Sequence, residues 1–186
     1  MISKAKEIEL KRQAELEACI PNIWYNEKIL YIGANKYRFH YADKLIENNC
    51  VVDVIEIDRQ RCSELKGDAQ FAWIRNIFEL DIRNIDELNI PKESYNLVLW
   101  SHGPTMLEQM SDVFPVLEKL FEYTNNLLVV MCPNGKYTYI DIKSGNEHDI
   151  NKLALYEKDF KENGFKTFSN DKVDTNNSNL IAWKNK

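Results

Sequence analysis

Lys28-Ile-Leu-Tyr-Ile-Gly33 is a short apolar run closed by glycine, and Val51-Val-Asp-Val-Ile-Glu-Ile57 is a second run of the same kind. Short, nearly continuous apolar runs suit strands covered on both faces. Between them Phe39, Ala42, Leu45 and Ile46 keep helical spacing, and Asn48-Asn49 closes that helix. A strand, a helix and a strand in this order predict a parallel pair joined by a right-handed crossover.

The alternation continues outward. Residues 59–66 read as a helix ended by Gly67, and Ile77-Phe-Glu-Leu-Asp81 as a third strand. Residues 82–93 connect to a fourth strand, Tyr95 to Trp100. A helix is expected from Ser111 or Asp112, with Pro115 in its first turn and Val113, Val116, Leu117, Leu120 and Phe121 on its apolar face. Leu127 to Met131 reads as a fifth strand, and residues 150–162 as a helix ending at Asn163-Gly164. Phe165 to Ser169 and Asn179 to Trp183 are strands with no helix between them, so an antiparallel pair closes the sheet. A leading helix occupies residues 1–20, with Leu10, Ala14 and Ala18 at helical spacing and Pro21 as its end. The expected fold is α/β in three layers, with a mostly parallel seven-stranded sheet, as a single domain over residues 1–186.

Composition narrows the function classes. Hydrophobic residues at 44% and charged residues at 28%, with four Trp, eight Phe and nine Tyr, describe a globular chain with a real core. A net charge of −5 argues against a nucleic-acid surface, because that affinity is largely electrostatic. Lys4, Lys6, Lys11 and Arg12 are interleaved with Glu7, Glu9, Glu15 and Glu17, which makes a mixed-charge helix face and not a basic arm. Cys19, Cys50, Cys62 and Cys132 form no CxxC pair and no metal-ligand spacing, so free thiols in a reducing, cytoplasmic setting are expected. No run approaches the length of a membrane span, so no membrane partner is expected.

Parallel α/β sheets bind ligands at the carboxyl ends of their strands. Gly33 ends the first strand here, Glu56 the second and Asp81 the third. A glycine lets backbone approach a ligand, one carboxylate can accept two ribose hydroxyls, and another can accept from an adenine amine. Ile57 and Ile82 offer apolar faces to such a ring.

Lys28 to Gly33, Val52 to Asp58, Phe78 to Asp81 and Tyr95 to Trp100 resemble the successive motifs of the class I, Rossmann-like S-adenosylmethionine-dependent methyltransferases. The stretch from Leu88 to Leu99, the turn through Pro133 to Gly135 and the closing strand pair extend the resemblance over nearly all the chain after residue 22. It implies S-adenosyl-L-methionine as cofactor. Gly33, Ala34 and Asn35 would lie along its methionine portion, Glu56 at the ribose, Asp81 and Ile82 at the adenine, and Trp100 and Ser101 beside the methyl donor. The family follows its first strand with a glycine-rich loop, whereas this loop, Gly33-Ala-Asn-Lys-Tyr-Arg-Phe39, has one glycine.

Catalytic candidates come from loops after the later strands. His102, in Trp100-Ser-His-Gly-Pro104, is either a general base or substrate contact, or a ring that caps backbone. His148, in Ser144-Gly-Asn-Glu-His148, either faces substrate or belongs to a polar helix-start loop. His40, Trp24, Tyr25, Tyr31, Trp73 and Trp183 read as packing or surface residues, and Lys36 as a solvated turn. The expected function is methyl transfer to oxygen or nitrogen of a small, medium or glycan-like acceptor, bound either in an open cleft or in a site that a homodimer or partner subunit completes. The alternative is a methyltransferase-like binding module without catalysis. A nicotinamide oxidoreductase ranks last, since GxGxxG is absent.

Overall fold

The computed structural model describes residues 4–25, 27–37, 39–100, 110–124, 126–133, 136–140, 147–170 and 177–184. In chain order the elements are α1 (Lys4–Cys19), β1 (Lys28–Ile32), α2 (Ala42–Glu47), β2 (Val51–Glu56), α3 (Arg59–Gly67), β3 (Ile74–Glu79), β4 (Leu97–Trp100), α4 (Met110–Tyr123), β5 (Asn126–Pro133), β6 (Lys136–Ile140), β7 (Glu147–Asn151), α5 (Lys152–Glu162), β8 (Lys166–Asn170) and β9 (Asn177–Trp183). Two 3-10 segments, Ala69–Phe71 and Ile82–Leu88, flank β3.

The main sheet has seven strands in the order β3-β2-β1-β4-β5-β9-β8. β2 pairs in parallel with β1 and β3, and β4 with β1 and β5; β9 is antiparallel to both β5 and β8. Parallel pairing therefore spans five strands and stops at the closing pair. The chain runs outward from β1 to β3 and then returns to place β4 on the other side of β1. That reversal leaves a crevice at the strands' carboxyl ends.

Alternate residues of the central strands feed two cores. Leu30, Ile32, Ile55, Val98 and Trp100 pack under α4 and α5, with Leu117, Leu120 and Phe160. Ile29, Tyr31, Val52, Val54, Leu97 and Leu99 pack under α1, α2 and α3, with Leu16, Leu45 and Leu65. Because both faces are covered, these strands read as continuous apolar runs.

Several boundaries differ from expectation. The third strand begins at Ile74 and ends at Glu79, ahead of the expected 77–81. It is the sheet edge, and Arg75 and Asn76 point their polar groups at buried Asp53 of β2, so its pattern looks unlike a strand. α2 starts only at Ala42, because Tyr41 sits at φ 64; Phe39 and His40 precede it. Pro115 lies inside α4 and is exposed, beyond the first turn. α1 is a helix as read, but Leu10 is 42% exposed while Arg12 and Leu16 are buried. Residues 147–151 form β7, paired with β6 in a separate two-stranded hairpin, where a loop and helix start were expected.

Asp159 on α5 has a pH-dependent consequence. Its Oδ2 is buried without a hydrogen-bond partner, and burial, then Glu118 and Glu162, push its carboxyl up to about 6. An acid raised in the folded state contributes stability below its unfolded value of 3.8, and that contribution is lost as pH rises through about 6. After discounting for partial exposure, the loss is roughly 1–2 kcal/mol. Asp159→Asn is expected to raise the urea midpoint at pH 7.5 and leave it nearly unchanged at pH 4. An equal shift at both pH values would show that Asp159 does not titrate there.

Candidate functional site

Strand register brings the crevice residues together. Ile32 of β1 stands opposite Ile55 of β2 and Trp100 of β4, and Glu56 of β2 stands opposite Glu79 of β3. The ladder runs one step further: Gly33 N–H donates to Ile55 O at 3.0 Å and Leu80 N–H to Glu56 O at 3.0 Å. Gly33, Glu56 and the Leu80-Asp81 step therefore stand side by side on strands spaced about 4.8 Å apart. Gly33 has φ 77, where a side chain costs about 1–2 kcal/mol. The backbone turns out of the sheet there with no Cβ toward the crevice. Beyond it Ala34 is buried, and Asn35 Oδ1 accepts the Tyr37 N–H at 2.9 Å, fixing the loop.

Glu56 is 3% exposed. Its Oε1 accepts the Asp58 N–H at 2.9 Å, and the Arg61 guanidinium lies 3.8 Å away. Asp58 caps α3 by accepting the Arg61 N–H at 3.0 Å. Glu56 Oε2 is buried with no hydrogen-bond partner. An unpaired buried carboxylate oxygen costs on the order of 1–3 kcal/mol or more in lost solvation unless a ligand donates to it.

Asp81 caps the 3-10 segment by accepting the Arg83 N–H at 3.0 Å. Its carboxylate also accepts from the Arg83 guanidinium, which holds it below the usual carboxylate value. A carboxylate has about four acceptor positions, and the Arg83 backbone and guanidinium direct four contacts to them, so a ligand amine would have to displace or share with Arg83. Of the two apolar faces expected for an adenine, Ile57 is 60% exposed, while Ile82 is 8% exposed and packed in the core with Ile85. Ile82 thus has only backbone to offer. Trp100 is 1% exposed in the same core.

Ser101 and His102 lie outside the described residues. His148 lies in β7 opposite Tyr139, in a hairpin strand where a loop was expected. Trp24 and Tyr31 are core residues, and Trp73 and Trp183 pack against that core, as read; Tyr25 is 69% exposed. Two features escaped the sequence. Lys36 pairs with Glu64 of α3 at 3.3 Å, tying the loop after β1 to the helix after β2, and Arg61 stands beside Glu56. Neither spacing carries a sequence signal, because each depends on the crossover geometry. A groove of about 480 Å³, lined by residues of the end of α3 and of β3 that include Leu65, Phe71 and Ile77, lies at the sheet edge and apart from these strand ends.

Neither a family model nor a curated protein matches the sequence. Solved structures do. A SAM-dependent methyltransferase from Aquifex aeolicus matches with TM-score 0.63 and 11% identity over 98% of each chain. One from Archaeoglobus fulgidus matches with TM-score 0.63 and 14% identity over 95% of this chain and 94% of that one. The 1,6-didemethyltoxoflavin-N1-methyltransferase of Burkholderia thailandensis, solved with S-adenosylhomocysteine, gives 0.60 and 10% over 96% and 79%. At such identities the likeness shows the fold, which is the Rossmann-like fold of class I methyltransferases.

Proposed function

We propose that this chain binds S-adenosyl-L-methionine at the β1–β3 strand ends and transfers its methyl group to oxygen or nitrogen of a small or medium acceptor. The carrying observation is Glu56: a buried carboxylate with one unpartnered oxygen, placed one strand from the glycine turn of a methyltransferase-type sheet. A pair of ribose hydroxyls is the ligand chemistry that such an oxygen accepts. Asp81, kept ionised by Arg83, accepts the adenine amine, and Ile57 covers one ring face. Gly33 leaves space for the thioether end of the ligand.

When bound, the cofactor supplies an electrophilic sulfonium methyl. The chain's own contribution is placement, since holding two reactants in line supplies up to roughly 7–11 kcal/mol of a barrier in favourable cases. The acceptor enters beside the ends of β4 and β5, with His102 and His148 as proposed proton acceptors. The β6–β7 hairpin, inserted after β5, contributes to the acceptor side, alone or with a second subunit.

Calorimetric titration with S-adenosylmethionine and S-adenosylhomocysteine tests the reading. Micromolar binding is expected, and Glu56→Ala should weaken it about 10–100-fold, as for loss of charge-assisted hydrogen bonds. Asp81→Ala should weaken it about 3–10-fold, because that carboxylate is already shared with Arg83. A folded parent protein that binds neither ligand sinks the catalytic reading and leaves the binding-module alternative.

A further inference from the structure

The first turn of α3 grips Glu56 at both ends. At the backbone, the Cys62 thiol donates to Glu56 O at 3.4 Å, beside the Leu80 N–H at 3.0 Å. At the side chain, the Asp58 N–H and the Arg61 guanidinium meet the same oxygen: Oε1 accepts the first at 2.9 Å and has the second at 3.8 Å. Oε2 is buried and has no hydrogen-bond partner among the described residues. A carboxylate offers acceptor positions on both oxygens, so this one-sided arrangement follows from where Arg61 stands.

Arg61 is itself held in place. Its Nε lies 3.9 Å from Asp58 Oδ2, and its N–H donates to Asp58 Oδ1 at 3.0 Å. Asp58 thus meets Arg61 through both oxygens while its own N–H goes to Glu56, which closes a ring around Oε1. Glu64, one turn on, shows where this side of α3 faces. Residues three apart share a helix face, and Glu64 pairs with Lys36 of the loop after Gly33 at 3.3 Å. Arg61 therefore stands on the face of α3 that is turned toward the loop after β1. Its side chain is 41% exposed and that of Glu56 only 2%. An exposed ion pair adds little to stability, but here the exposed cation acts on a buried anion.

We propose that Arg61 is the positioning residue of the ribose contact. It keeps Oε1 turned to the protein, so Oε2 is the oxygen presented to a pair of hydroxyls. A carboxylate free to rotate must be ordered as the ligand binds, and that ordering is subtracted from affinity; one held beforehand avoids the loss. The proposal rests on the cofactor reading and adds to it a residue that acts through Glu56.

The experiment titrates S-adenosylhomocysteine and its 2′-deoxy and 3′-deoxy analogues by calorimetry into the full chain and its Arg61→Met, Arg61→Lys and Glu56→Ala variants, with circular dichroism to confirm folding. The parent is expected to prefer S-adenosylhomocysteine over at least one deoxy analogue by about 10-fold or more, as a site built to hydrogen-bond a hydroxyl does. Arg61→Met is expected to reduce that preference to about 2–3-fold, the loss falling on S-adenosylhomocysteine, and Arg61→Lys, which keeps a cation, to restore most of it. Glu56→Ala is expected to remove the preference. A merely structural role would weaken all the ligands alike and leave the preference at its parent value. That result, or unchanged affinities in folded Arg61→Met, overturns the proposal while the Glu56→Ala result keeps the cofactor reading standing. If Arg61→Met does not fold, Arg61→Gln is read in its place, and failure of both to fold overturns the proposal in favour of a structural role. A parent that binds without any hydroxyl preference overturns it together with the ribose role of Glu56. A parent that binds none of the ligands overturns the cofactor reading as well.

Discussion

Replacing Asp53 with alanine is expected to remove about 3–5 kcal/mol of stability, read from urea unfolding midpoints. Asp53 sits in the middle of β2, 1% exposed, opposite Leu30. Three side chains converge on its carboxylate: Arg75, whose Nε donates at 2.9 Å, Asn76 at 2.8 Å, and the Tyr95 hydroxyl at 2.8 Å. Alanine would leave the Tyr95 hydroxyl and part of the Arg75 guanidinium desolvated without an acceptor, which is the costly way to break a buried pair. Arg75 is 42% exposed, which keeps the loss toward the lower end. Tyr95→Phe removes one donor only and is expected to cost about 1 kcal/mol. Burial works to raise the Asp53 carboxyl, but its hydrogen bonds from Arg75, Tyr95 and Asn76 together outweigh burial and lower it. A lowered acid contributes stability above its unfolded value, here 3.8, and loses it as pH falls through the folded value. The gap between parent and Asp53→Ala should therefore narrow below about pH 4, the reverse of the Asp159 case. A loss under about 1 kcal/mol at neutral pH would mean that water replaces the carboxylate, and that the β2–β3 edge does not depend on this network.

The same network shows where sequence patterns stop being informative. β1, β2 and β4 were legible because helices cover both their faces, and each position had to be apolar or specially paired. β3 was misplaced because Arg75 and Asn76 serve Asp53 on a neighbouring strand, a long-range match that local periodicity cannot register. β6 and β7 were missed for a related reason. Lys136-Tyr-Thr-Tyr-Ile140 has the aromatic and β-branched character of a strand, but Glu147-His-Asp-Ile-Asn151 takes strand form only through its partner. The juxtaposition of Gly33, Glu56 and Asp81 was legible since strand order alone places them side by side at the strand ends. The burial of Arg12 was not. A mixed-charge helix reads as solvated all round, and only packing against the sheet decides that its buried face runs through Arg12 and Leu16 instead of Leu10, Ala14 and Ala18.

Phe160→Ala is the second large loss, expected at about 3–5 kcal/mol from cavity formation. Phe160 on α5 is fully buried; its ring meets Phe121 of α4 edge-on at 5.3 Å and 67°, and Phe165 ahead of β8 at 6.3 Å. Phe121 and Phe165 also meet each other at 4.5 Å, so three rings lock α4, α5 and the start of the closing strand pair together. Alanine forfeits transfer energy and the edge-to-face contact at once, whereas leucine keeps most of the volume and should cost about 1–1.5 kcal/mol. This cluster lies in the core under α4 and α5, while Tyr41 belongs to the opposite layer and Glu56 to the strand ends. Phe160→Ala, held at a temperature where it is folded, should therefore bind S-adenosylhomocysteine within about 2-fold of the parent despite its lower urea midpoint, because effects of sites without shared partners are separable. Loss of affinity in the folded variant would show that the α4–α5 layer sets the shape of the crevice. Retention would place affinity in β1, β2 and their loops, with α4 and α5 acting as the support beneath them.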